Sequence, residues 1–128
     1  MAQATNTNAV NFEPASQEAV DANADATHVG LWTAETGGLF LWGAAIAGDP
    51  AALELGERYR IEPGVLVITQ SAGPGETEAM AKRGIAGRIA GTLYVSVHSG
   101  DPGVTGENEI TQISRASITA ANWTVTPA

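Results

Sequence analysis

Short apolar runs separated by Gly and Pro recur along this chain, a pattern that predicts strands more than helices. The cleanest alternation is Thr92–Ser99 (TLYVSVHS), which puts Leu93, Val95 and Val97 on one face and Tyr94, Ser96 and His98 on the other. Thr27–Thr33 and Leu39–Ile46 flank Ala34-Glu35-Thr36-Gly37-Gly38, whose glycines supply the positive φ of a tight reversal, so a β-hairpin is expected. Its second strand is apolar on both faces, with Leu39 and Leu41 on one and Phe40 and Trp42 on the other. That asks for a central position or a contact between subunits. Tyr59–Ile61 and Val65–Gln70 bracket Glu62-Pro63-Gly64, type II turn chemistry that predicts a second hairpin.

Weaker strand signals fall at Ala9–Phe12, Ile110–Ile113, Ser117–Ala120 and Trp123–Thr126, and one helical turn is expected at Pro50–Leu55. The one convincing helix is Glu76–Ile89, with carboxylates first (Glu76, Glu78) and cations later (Lys82, Arg83, Arg88), as the helix dipole favours. Gly84 and Gly87 inside it each cost roughly 1 kcal/mol against Ala, so tertiary contacts must hold it. The sum is a mainly β fold, a β-sandwich or open barrel of about eight short strands with one α-helix. Residues 1–25, polar and Ala-rich, read as an extended N-terminal arm that a neighbouring surface must fix, leaving 26–128 as a single β-sandwich domain.

At 128 residues, with 44% hydrophobic and 16% charged, the chain supports one principal core. Fourteen acidic residues against six basic ones give a formal charge of -8, a field that repels phosphate backbones and anionic lipid. Neither nucleic acid nor membrane is an expected partner, and Lys82, Arg83 and Arg88 read as one solvated helix face. There is no cysteine, so packing, strand pairing and oligomerisation must hold the fold. Met1–Asn11 carries no basic or apolar leader pattern, and a soluble protein without an address is expected.

Candidate chemistry is sparse. His28 and His98 fall on the polar side of their strands, with no HxH or HExxH spacing to suggest a metal. Ser96 or Ser99, His98 and Asp101 can be written as a triad, but no nucleophile elbow accompanies them. Asp101, Glu107 and Glu109 in the loop Ser99–Glu109 are weak candidate ligands for a hard cation, without EF-hand spacing. The plainer reading has Asp101 and Asn108 bonding nearby backbone amides. A hydrolase reading would have Glu107, Glu109 or His98 at its centre, without a second catalytic partner of defensible geometry. No catalytic residue and no cofactor site is therefore expected. Trp32, Trp42, Trp123 and Tyr94 could line a sugar platform, which makes a carbohydrate-binding module recognising a host glycan the alternative reading. Large aromatics serve more often as core or interface anchors, and Phe12, Trp32, Leu39, Phe40, Leu41, Trp42 and Trp123 are the candidate interface residues.

Leu93–Ile110, LYVSVHSGDPGVTGENEI, resembles a family of small tailed-phage virion proteins, the minor tail or tail fibre proteins, in which LYVSLHTADPG is followed by TGANE. His28–Leu41, HVGLWTAETGGLFL, is similar to that family's HVGLWDAATGGTFL hairpin. In the family the helix and LYVSLHTADPG come first and the hairpin closes the domain; here the order is reversed. The resemblance implies a permuted domain, either a circular permutant joined through residues 71–75 or halves exchanged between subunits. It further implies a non-enzymatic, cofactor-free virion component of tail, fibre or capsid surface (decoration included), working as a homo-oligomer, trimer or higher, that binds other virion proteins in the phage particle.

Overall fold

Ala2–Asn6 (β1) opens the chain as a strand whose side chains alternate between buried and half-buried, and Ala2 and Ala4 are fully covered. The computed structural model describes residues 2–14, 26–45 and 59–127. Among them, nine strands in three antiparallel sheets and one helix make the mainly β class expected, the make-up of a β-sandwich with one helix. The chain divides into two compact units: Met1–Ala9 with Ile61–Thr92 and Thr119–Ala128, and Val10–Arg60 with Leu93–Ile118.

In the first unit β1 is the middle of three strands, between Val67–Gln70 (β6) and Trp123–Pro127 (β9), with Ala4 opposite both Ile68 and Val125. The arm expected over residues 1–25 is thus a central strand at its first residues; residues 15–25 lie outside those described. The reason is the helix Glu78–Arg88 (α1), which packs against all three strands and buries Ala81 and Ile85. Short side chains at Ala2, Ala4 and Ala81 let helix and sheet approach closely, so the residues that look too small to build a core are the ones that fit here. Thr77 caps α1 by accepting from the Met80 amide at 3.2 Å. A Cβ on Gly84 would meet the end of the Gln70 side chain at 2.5 Å, so that amide would have to swing aside, whereas a Cβ on Gly87 would meet nothing.

The turn at Pro63-Gly64 forms, with Gly64 at φ 82° and the Val65 amide donating to Glu62 O at 3.2 Å. The second hairpin does not. Asn6, 2% exposed, takes the groups on both sides of the turn: its Nδ2 donates to Glu62 O (3.0 Å), its carbonyl accepts from the Gly64 amide (2.8 Å), and its Oδ1 accepts from the Leu66 amide (2.9 Å). The flanking strands then pair elsewhere, β6 with β1 and Arg60–Ile61 (β5) with Val10–Asn11 (β2).

In the second unit His28–Trp32 (β3) and Phe40–Ala45 (β4) form the expected hairpin, with a register shift between Leu31 and Trp32. Thr92–His98 (β7) and Ala116–Thr119 (β8) complete a four-stranded sheet in the order β4-β3-β7-β8. Among the described residues β4 is an edge strand, so of the two expectations raised by its double-faced apolarity the central position is not met. Ile110–Ile113 is a turn and no strand: the Ile113 amide bonds to Ile110 O, which buries the two isoleucines and leaves Thr111 and Gln112 in water. The helical turn at Pro50–Leu55 lies outside the described residues.

Two substitutions test this account by thermal or urea unfolding. Gly87→Ala is expected to raise stability by about 1 kcal/mol, because the site is open and helical. Asn6→Ala is expected to lower it by about 2–3 kcal/mol, because it strands the buried Leu66 amide and takes one donor from the Glu62 carbonyl.

Candidate functional site

The four-stranded sheet has an apolar face and a polar one, set by strand alternation. Val29, Leu31, Val95 and Val97 share the first; on the second, His28, Gly30 and Trp32 of β3 stand opposite His98, Ser96 and Tyr94 of β7. The polar face is covered by the loop Ser99–Glu109. Gly43 and Gly106 mark where the loop touches the hairpin: a Cβ on Gly43 would meet Pro102 Cγ at 2.5 Å, and one on Gly106 would run into the Trp32 ring. Gly30 lies beneath, where a Cβ would crowd Phe40, His98 and Ser96 within 2.8 Å. Glycine inside a strand signals close approach of this kind.

The loop is stiffened by its own hydrogen bonds. Asp101 Oδ1 accepts from the Gly103 amide (2.9 Å), Pro102 O accepts from the Gly106 and Glu107 amides (3.0 and 2.8 Å), and Asn108, at φ 63°, donates from Nδ2 to Asp101 O (3.0 Å). Asp101 therefore bonds a neighbouring amide as the plainer sequence reading expected, whereas the Asn108 side chain bonds a backbone carbonyl.

A line of polar contacts runs beneath the loop. Trp32 Nε1 donates to Ser96 Oγ (2.8 Å), Ser96 Oγ lies 2.6 Å from His98 Nε2, and His98 Nδ1 lies 2.7 Å from the Glu107 carbonyl. A carbonyl only accepts, so Nδ1 carries the ring proton, Nε2 is the acceptor, and the Ser96 hydroxyl donates to it. The tautomer is fixed by geometry. His98 is fully buried, and burial is the main reason its pKa is held below the ordinary histidine value. The Glu107 carbonyl and the Glu109 charge oppose that shift, and the charges of His28 and Arg115 add to it.

Arg115 closes the other end. Its Nε and Nη2 clasp both oxygens of Glu109 at 2.9 Å, its Nη1 donates to Ala34 O (2.9 Å) and Gly37 O (2.8 Å), and its Cζ lies 3.8 Å from the Trp32 ring centroid. One buried guanidinium thus fastens the hairpin turn, the loop end and the indole face together. A recess of about 200 Å³ opens beside it, between the Glu35–Gly37 turn and Thr111 and Ile113.

Of the weak cation ligands, Glu109 is committed to Arg115, Asp101 to its own turn, and Glu107 contributes its carbonyl to His98. Among the described residues no three His, Cys, Asp or Glu side chains converge. His98 has no free ring nitrogen to share with His28, whose Nδ1 meets Thr27 Oγ1 at 2.8 Å. Ser96 and His98, of the paper triad, do meet, but Ser96 is 1% exposed and already accepts the Trp32 proton. Trp32 and Trp123 are each 8% exposed, which leaves a sugar platform without two of its tryptophans. Phe12, Trp32 and Trp123, expected at an interface, are core residues of the chain itself. Leu39 and Leu41 stay in solvent at 70% and 47%, and Phe40 and Trp42 are half-buried. Sequence reasoning passed over Arg115, although it is the one Lys or Arg after Arg88 and stands among apolar strand signals.

Residues 1–69, more than half of the 128, match the family model described as podophage GP4 fiber I protein gp80. The chain belongs to that fibre family. It is a phage virion structural protein, and its place is the phage particle. The match spans the β3–β4 hairpin and ends within β6. Comparison with curated proteins and with solved structures finds no match.

Arg115→Lys keeps the charge but loses the two-pronged grip and at least one carbonyl bond. Urea unfolding of this variant is expected to show a loss of about 2–4 kcal/mol.

Proposed function

We propose that this fibre-family protein is a non-enzymatic component that works by associating with copies of itself, as a trimer or higher ring, and with other virion proteins of the tail, fibre or capsid surface. The observation that carries the reading is the edge of the four-stranded sheet. β4 pairs only with β3 among the described residues, and it presents Leu41 to solvent, with Leu39 exposed just before it, where the other large apolar residues described are mostly buried. An exposed edge strand with apolar side chains invites a second chain. A second copy fits, because Leu39 and Leu41 carry no charge and so offer a contact free of the repulsion that a net charge of -8 imposes elsewhere.

The domain is read as a closed permutant and not as exchanged halves. In support, the hairpin strand β3 and β7 pair through five residue positions within one chain. The polar groups that resemble catalytic machinery are spent on holding the loop, which supports a structural role for them.

Sedimentation velocity over a wide concentration range tests the reading. The native chain is expected as a trimer or larger species. The double variant Leu39→Glu, Leu41→Glu is expected to associate at least tenfold more weakly with an unchanged circular-dichroism spectrum, since both positions are exposed in the single chain. A native chain that stays monomeric throughout overturns the proposal.

A further inference from the structure

The polar line beneath the loop has a property that its fibre role does not call for: it works with one protonation state only. With His98 neutral, every hydrogen is used. Trp32 Nε1–H goes to Ser96 Oγ, the Ser96 hydroxyl goes to His98 Nε2, and Nδ1–H goes to the Glu107 carbonyl. A second ring proton turns Nε2 into a donor aimed at an oxygen 2.6 Å away that already accepts from the indole. The Ser96 hydroxyl hydrogen then has no acceptor on this line, at a residue 1% exposed. The cation would also lie in a fully buried position.

The charged and titratable groups around the ring do not offer a remedy. His28 stands directly across on β3 and Tyr94 lies further along β7. Glu107 turns its carbonyl to the ring, Glu109 is clasped by Arg115, and Arg115 itself lies over the Trp32 ring. β4 contributes the uncharged ring of Phe40, 6.2 Å from His98.

We propose that His98 is an acid-sensitive latch on the loop Ser99–Glu109: the neutral imidazole fastens the loop over the β3–β4 hairpin, and uptake of a proton from solvent releases it. The lowered pKa of His98 agrees in direction. Above the ordinary histidine value near 6.5 the ring is neutral whether the loop is closed or open, and the latch has its full strength. Below that value the open form takes up the proton first, so closure weakens as the pH falls, until the closed ring titrates as well. Release bares the Trp32, Phe40 and Gly30 face of the sheet, so acid would act on the segment that matches the fibre family.

Amide hydrogen exchange on the full chain, corrected for intrinsic rates, tests this at pH 7.5 and pH 5.0. The Ser99 and Ile110 amides, which bond to Asn108 O and Val97 O, report the loop, and those of β1 serve as the reference. Loop protection is expected to fall at least tenfold, with a ceiling of about 30-fold set by the ordinary histidine value, while β1 changes less than threefold. His98→Gln, which can still donate and accept but cannot titrate, is expected to abolish the difference. Equal loss at β1, or an unchanged loop at pH 5.0, overturns the latch. So does a pH response that persists in His98→Gln. Imidazole titration of the native chain by NMR gives a second readout that needs no variant: ring protonation and loop opening must share one midpoint, and separate midpoints overturn the proposal.

Discussion

The second unit depends on one neutral imidazole holding two hydrogen bonds of opposite sense. His98 is fully buried, so its ring must be paired at both nitrogens, and the fixed Glu107 carbonyl decides which one carries the proton. From that choice the direction of the Ser96 hydroxyl and the place of the Trp32 indole follow in turn. A satisfied network of this kind specifies one arrangement of loop on sheet, where an apolar contact would tolerate several.

Arg115 gives the same unit its second fastening, and the two are joined through Trp32, whose edge bonds to Ser96 and whose face receives the guanidinium. The glycines at 30, 43 and 106 make room for both by bringing backbone where side chains would otherwise stand. A fibre component must survive outside a cell. Hydrogen bonds and stacked rings serve that end in a chain that has no cysteine to cross-link.

Much of this was legible in the residues. The alternation of Thr92–Ser99 placed Ser96 and His98 on one face, the Gly37-Gly38 pair marked the hairpin, and the charge order of Glu76–Ile89 marked the helix. Local pattern carries that kind of information. What stayed hidden depends on partners distant in sequence. Ala2–Asn6 has a single strand-forming side chain, Thr5, and becomes a strand because α1, β6 and β9 surround it. Pro63-Gly64 signalled its turn correctly, but Asn6 took the hydrogen-bonding groups that a hairpin would have used. Burial of Phe12, Trp32 and Trp123 is likewise a matter of assembly, so composition alone did not separate core aromatics from surface ones.

The three-stranded sheet of the first unit has a kinetic corollary. Its middle strand is made more than a hundred residues before one of its two neighbours, β9 at positions 123–127. The strand must therefore wait through synthesis with its hydrogen-bonding edge open. Low apolar content at Ala2, Gln3, Ala4, Thr5 and Asn6 keeps such a waiting segment from sticking to other nascent chains.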